Sequence, residues 1–163
     1  MEEWRPIYDF HGYEVSDQGR VLNSRSGRIL AQTENQRELL MVGLMRGGIQ
    51  HKRTVSHLVA KAYLLSAEHE AFDSVINLDG DRYNNYARNL MWRPKWFAMR
   101  YNFQFRSYVH GYGSTIMDVD SEEKFDNAWD AVIKYGLLVA EVVESVEHQT
   151  YVWPTKQRFC RLD

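Results

Sequence analysis

Cysteine occurs once in this sequence, at Cys160, so no internal disulfide can form. A lone cysteine fits a reducing cytoplasm, and its simplest role is that of a small apolar side chain. The three prolines are scattered rather than clustered, which excludes a proline-rich linker. No apolar run approaches the roughly 18 residues that a membrane span requires. The opening Met1-Glu2-Glu3-Trp4 is acidic and is followed by no apolar stretch, so it does not read as a signal peptide. Acidic residues are missing altogether between Arg82 and Arg106. What is present is a hydrophobic content of 44% and an aromatic content of 13%, enough to build one compact domain or two small ones from 163 residues.

The acid-free stretch belongs to a longer segment, residues 75–106, that organises the chain. It opens with a short apolar strand signal, turns through Asp79-Gly80-Asp81, crosses a loop at Asn84 and Asn85, and returns through a second strand signal at 89–92. Pro94 follows at a position suited to a helix start. Arg82, Arg88, Arg93, Lys95, Arg100 and Arg106 supply six positive charges in a chain whose net charge is −2. Aromatic residues are interleaved with them. Phosphate is the expected partner of such a reversal of sign, and Lys52 and Arg53 extend the candidate set. Each of these cations is also compatible with an ordinary solvated surface.

The spacing V-x-x-x-D-G-D-x-x-N-N-x-x-x-N-L-x-W resembles the ββα-metal core of the HNH homing endonucleases common in phage genomes. The resemblance implies two strands and a helix holding one divalent metal, Mg²⁺ or Mn²⁺, with a general-base histidine on the first strand. Carried over by position, Asp79, Gly80, Asn84, Asn85, Asn89, Leu90 and Trp92 match hairpin and loop residues. The chemical positions depart from the family. Asn77 stands where the general base belongs, Ile76 where a metal ligand precedes it, and Ala98 where the helix would supply a last ligand. An amide does not abstract a proton near neutral pH, and loss of a general base costs about 10²- to 10⁴-fold in rate. Isoleucine and alanine offer no donor atom to an oxygen-preferring metal. Substitution by neighbouring Asp79, Asp81 or His57 stays open as an alternative.

Upstream, the run WRPIYDFHGYEVSDQGRVLNSRSGRIL predicts a small β-meander, with strands near 13–16, 20–23 and 28–30 joined by Gly-containing turns. It resembles the fourth type of nuclease-associated modular domain through Trp4, Ile7, Tyr13, Val15, Ser16, Gly19 and Val21. That resemblance implies DNA contact, for which Arg20, Arg25 and Arg28 are candidates. A hairpin is expected over 39–55 across Gly47-Gly48, followed by a helix over 54–65 whose Val55, Leu58, Val59 and Ala62 recur at helical spacing. The last third changes sign. From residue 115 onward five cations face ten acids. Its pattern predicts a strand at 115–119, a helix at 127–135 capped by Asp126 and stopped by Gly136, a helix at 139–146, and a strand at 151–153. Trp96, Phe97, Trp129 and Trp153 are expected in cores. Glu141, Glu144 and Glu147 recur on one helical face and would repel phosphate.

The expected fold is therefore α+β. It comprises a small N-terminal β-meander, a ββα-metal-like core, and an acidic C-terminal strand-helix-helix-strand module resembling a helix-turn-helix, with boundaries at 1–50, 51–110 and 111–163. Three functions follow. One is a phage-type double-stranded DNA-binding protein, cytoplasmic in an infected bacterial host, that has lost cleavage and needs no cofactor. Another is an active Mg²⁺- or Mn²⁺-dependent nickase with rearranged ligands. The third is a regulatory protein that engages a protein partner through its acidic module. None involves a membrane.

Overall fold

Short alternating stretches at the start of the chain form strands in the computed structural model, which describes residues 1–66, 69–106 and 113–162. Strands β1 (Trp4–Pro6), β2 (Tyr13–Ser16), β3 (Val21–Asn23) and β4 (Arg28–Ile29) make an antiparallel sheet in chain order. A second sheet holds β5 (Thr33–Glu34), β6 (Leu40–Arg46) and β7 (Ile49–Thr54), with β6 and β7 paired from Met41 opposite Thr54 to Arg46 opposite Ile49. Helix α1 (Val55–Tyr63) follows directly, with Thr54 at its N-cap. Strand β8 (Ser74–Asn77) then pairs antiparallel with β9 (Leu90–Arg93), and α2 (Lys95–Gln104) begins after Pro94. The mixed α+β class, the meander, the hairpin and the ββα order of elements are as expected. Strands β1 and β5 were not foreseen, because two or three residues carry too little alternation to register as a strand.

By packing, the chain divides into two compact units, residues 1–77 with 81–95, and residues 78–80 with 96–163. The motif boundaries at 50 and 110 mark where sequence patterns change and stay a proposal about modules.

In the first unit one core is shared by the meander, the β6–β7 hairpin, α1 and the β8–β9 pair. Val15 and Val21, Val42 and Leu44, Val55, Leu58 and Val59, and Leu90 are all buried together with Ile7 and Phe10. Period-two alternation places Val42 and Leu44 on one face of β6, while helical spacing turns Val55, Leu58 and Val59 to one side of α1. Each such side chain contributes about 1.5–3 kcal/mol by leaving water. The Tyr63 hydroxyl lies 2.7 Å from the carbonyl of Glu3 and 3.0 Å from that of Val15, tying α1 to the first strands. Burial pushes its pKa up to about 12.

The β2–β3 turn closes on the asparagine loop of the same unit. The Ala87 amide donates to the Asp17 carbonyl at 2.7 Å. Gly19 has φ +85, and a Cβ there would lie 3.0 Å from Cβ of Asn85 and 3.2 Å from its carbonyl oxygen.

In the second unit β10 (Ile116–Asp118) lies between β11 (Lys124–Phe125) and β12 (Phe159–Arg161), beside α3 (Ala128–Tyr135) and α4 (Val139–His148). Gln104 joins α2 to the α3–α4 connection, donating to the Leu137 carbonyl at 3.2 Å and accepting from the Val139 amide at 2.9 Å. Tyr101 donates to the Leu78 carbonyl at 2.7 Å.

Three expectations are corrected here. The cap of α3 is Asn127, not Asp126, because its side chain accepts from the amides of Trp129 and Asp130. Gly136 ends α3 in the left-handed region, as expected. No strand forms at 151–153; Val152 makes an isolated bridge to Gln157, and the paired strand is Phe159–Arg161. Trp96 and Trp153 are 48% and 38% exposed rather than core, their rings meeting at 5.1 Å with a tilt of 38°.

Replacing Gly19 by alanine is expected to destabilise the first unit by about 1–3 kcal/mol, since positive φ and the Asn85 contact act together. Urea unfolding of the variant against the parent checks this.

Candidate nucleic-acid interface

The end of β8 carries the chemistry that the hairpin allows. Asn77 pairs with Leu90 in the β8–β9 register and is 4% exposed. Its amide nitrogen donates to the Asn84 carbonyl at 2.9 Å and to the Asn85 side-chain oxygen at 3.2 Å. Asn89 donates to the same Asn84 carbonyl at 2.9 Å. Two amide side chains therefore converge on one backbone oxygen and close the loop between the strands. Ile76, beside Asn77, is fully buried and carries no donor atom.

Ala98, in the second unit, is also buried on α2. Asp79 and Asp81 are exposed, and Asp81 accepts from the Tyr83 amide at 2.9 Å in a local turn. Among the described residues, no group of three or more histidine, cysteine, aspartate or glutamate side chains is placed to hold a metal ion. Ile76 and Ala98 each lack a donor atom for Mg²⁺ or Mn²⁺, so the side chains at these positions do not fit that ion.

His57 lies on α1, half-buried, with its ring edge-on to Trp92 at 5.2 Å and 88°. Burial lowers its pKa below the usual 6.5, and nearby Lys61 lowers it further. This environment suits a packed neutral ring better than a charged phosphate contact.

The candidate cations separate by burial. In the first unit Arg88 and Lys95 are exposed, as is Lys52 on β7, while Arg82 and Arg53 are half-buried. Arg88 lies 5.4 Å over the Tyr86 ring, and Arg82 donates to the Arg37 carbonyl. Arg53 donates to the Lys52 carbonyl at 2.9 Å and lies 5.2 Å over Phe10. In the second unit Arg100 and Arg106 are exposed, with Arg100 5.6 Å over Trp96. Arg93 departs from the set. It is 6% exposed and donates to the Trp92 carbonyl at 2.9 Å, so its side chain is enclosed rather than presented to a phosphate. Of the meander arginines, Arg20 pairs with Glu2, while Arg25 and Arg28 are exposed. Sequence reasoning missed Arg5 and Lys61. They lie far apart in the chain, on β1 and α1, and meet Arg53 and His57 around one cleft.

The NUMOD4 motif matches residues 2–44, which span β1 to β5 and most of β6. An uncharacterised HNH endonuclease of Acanthamoeba polyphaga mimivirus is 26% identical over 134 residues, covering 78% of this chain. The chain spans 40% of that relative's length. The structure of I-HmuI, an HNH homing endonuclease that binds and cleaves DNA, superposes with a TM-score of 0.56 at 20% identity, covering 98% of both chains. The chain is thus similar in sequence to an HNH endonuclease and shares the fold of an HNH homing endonuclease. Asn77, at the position the resemblance gives to the general base, donates both of its amide hydrogen bonds within the loop. The NUMOD4 match confirms the modular domain expected from Trp4, Tyr13, Val15 and Gly19.

The lowered pKa of His57 sets a sign for acid stability. The unfolded chain binds the proton more readily, so this contribution is complete above about pH 6.5 and is lost as the pH falls toward the lowered folded value. The unfolding midpoint is expected to fall between pH 7.5 and roughly pH 5.5 by more in the parent than in His57→Gln. Thermal melts of both proteins across that range check the difference.

Proposed function

We propose that the chain is a double-stranded DNA-binding protein built on an HNH homing-endonuclease scaffold, with its cleavage centre dismantled. The observation that carries this reading is the commitment of Asn77. A catalytic base must accept a proton, whereas both interactions of this amide nitrogen are donations that hold the loop. Buried Ile76 and Ala98 supply no metal donors, while exposed Arg88, Lys95, Arg100 and Arg106 keep the means of contacting phosphate. Support also comes from I-HmuI, which shares the fold and binds DNA. The bacteriophage setting and the bacterial cytoplasm belong to the same proposal. No helix of the described residues is long and apolar enough to cross a membrane.

The acidic module adds a secondary proposal of a protein partner on α4. Glu144 and Glu147 are exposed there, whereas Glu141 accepts from the Trp153 amide at 3.2 Å and has its pKa raised by burial. A helix-turn-helix role in DNA binding is disfavoured by the like charge that Glu144 and Glu147 would present to phosphate.

The deciding experiment incubates the protein with fragmented phage genomic DNA and Mg²⁺ or Mn²⁺, then sequences the retained fragments and maps new strand ends. Enrichment without new ends is the expected result. New ends at a fixed position, lost on Asp79→Ala or Asp81→Ala, would establish instead a metal centre rebuilt from those carboxylates.

Contacts from Arg82, Arg88, Lys95, Arg100 and Arg106 would together give a log–log salt slope of roughly −4.5. Neutralising Arg88, Lys95 and Arg100 to glutamine should weaken duplex affinity and flatten that slope by roughly 2 to 3. Filter binding across a salt series measures both quantities. Asn77→His by itself is expected to leave cleavage absent, because Ile76 and Ala98 still offer no ligand, as a nicking assay on enriched fragments would show.

A further inference from the structure

A cleft of about 360 Å³ opens in the first unit between the residues following β1 and helix α1. That volume falls within the range of small-ligand sites. Its apolar lining includes Ile7, Phe10, Leu58 and Ala62, and Tyr8, 92% exposed, stands in its wall. The polar lining is lopsided in charge, with Arg5, Arg53 and Lys61 set against Asp9. The cationic heads are held in place rather than left to wander. Arg5 donates to the Ala62 carbonyl at 2.9 Å and lies 4.4 Å over the Tyr63 ring. Arg53 is stacked over Phe10, and Lys61 stands 3.8 Å from Asp9. Arg5 also pairs with Glu3 at 2.9 Å, but no carboxylate is paired with Arg53 among the described residues.

Each half of this lining selects for a different part of a ligand. Guanidinium forks held against aromatic faces match the oxygens of a phosphate and lose little freedom on binding it. The exposed ring of Tyr8 offers a flat apolar surface on which a base can stack. Phosphate by itself would have no use for the apolar wall, and a neutral apolar molecule would gain nothing from the cations.

We propose that this cleft binds a nucleoside monophosphate group, its phosphate held by Arg53, Lys61 and Arg5 and its base laid against Tyr8. The group comes either from a free nucleotide or from the 5′-phosphorylated end of a DNA strand. His57 lines the same cleft and presents a largely neutral imidazole there at pH 7, since burial lowers its pKa. The site stands apart from the duplex-binding proposal, with which it shares Arg53.

The test titrates the full chain by calorimetry with dAMP, inorganic phosphate, and a short single strand carrying either a 5′-phosphate or a 5′-hydroxyl. A Kd for dAMP or for the phosphorylated strand at or below about 1 mM is expected, with inorganic phosphate weaker. Preference for dAMP identifies a free nucleotide as the source, and preference for the phosphorylated over the hydroxyl strand identifies a strand end. Lys61→Ala should weaken binding at least about tenfold, and Asp9→Asn, which removes the opposing carboxylate, should tighten it severalfold. Both positions are exposed at the surface, so these substitutions spare the core. Absence of binding by dAMP and the phosphorylated strand, equal binding by inorganic phosphate, or indifference to both substitutions would overturn the proposal. Duplex retention measured on the same samples keeps the two readings separate, because loss of duplex binding with dAMP binding intact counts against the duplex proposal alone.

Discussion

The buried side-chain amide of Asn77 holds the loop between β8 and β9 on which the first unit closes. Between β8 and β9 lie a dozen residues with little regular hydrogen bonding of their own, and their buried backbone groups need partners. Asn77 and Asn89 meet that need from opposite ends of the loop by donating to the same Asn84 carbonyl. Burial strengthens these bonds and makes loss of one member costly. With the loop held, Asn85 packs under Gly19 and Ala87 bonds to Asp17, so that the N-terminal meander and the hairpin share one interior. An amide nitrogen donates two hydrogen bonds, whereas a neutral imidazole donates one. Asparagine at this position can therefore donate to both the Asn84 carbonyl and the Asn85 side chain, which one neutral imidazole could not do.

Charge is distributed with the same economy of means. The acid-free stretch keeps Arg88, Lys95, Arg100 and Arg106 at the surface, two of them, Arg88 and Arg100, lying over aromatic rings, where the ring face is electrostatically favourable to a cation. Such stacking limits side-chain wandering without consuming the charge. Arg93 shows the opposite outcome, since the end of β9 encloses it. In the second unit, carboxylates have internal employment as well. Glu123 pairs with Lys134 and accepts from Tyr135, and Glu141 bonds the backbone at Trp153. Acidity in this module is thus partly a feature of its own packing, with Glu144 and Glu147 left outward.

Local signals were legible wherever one residue type has a short-range job. Gly136 ends α3, Pro94 precedes α2, Gly47-Gly48 turns the β6–β7 hairpin, and the apolar spacing of Val55, Leu58 and Val59 marks α1. The α3 cap was misplaced by one residue because Asp126 and Asn127 are both competent caps, and only the backbone geometry chooses between them. The strand expected at 151–153 failed because its pairing partner is set at long range: Phe159–Arg161 occupies the edge beside β10. Trp96 and Trp153 were assigned to a core on hydrophobicity, yet their tilted rings meet at the surface, which aromatic side chains permit without full burial.

By itself the sequence determined the family resemblance, the class of fold and which residues stand at the positions that the resemblance singles out, because motif spacing and side-chain chemistry are written in the chain. It also determined where positive charge is concentrated. Only the tertiary structure decided which of those charges face outward, that Asn77 is spent on the Asn84 carbonyl, and that Arg5, Arg53, His57 and Lys61 gather around one cleft. Burial and convergence depend on contacts between residues tens of positions apart, and no local pattern encodes which of many such contacts forms.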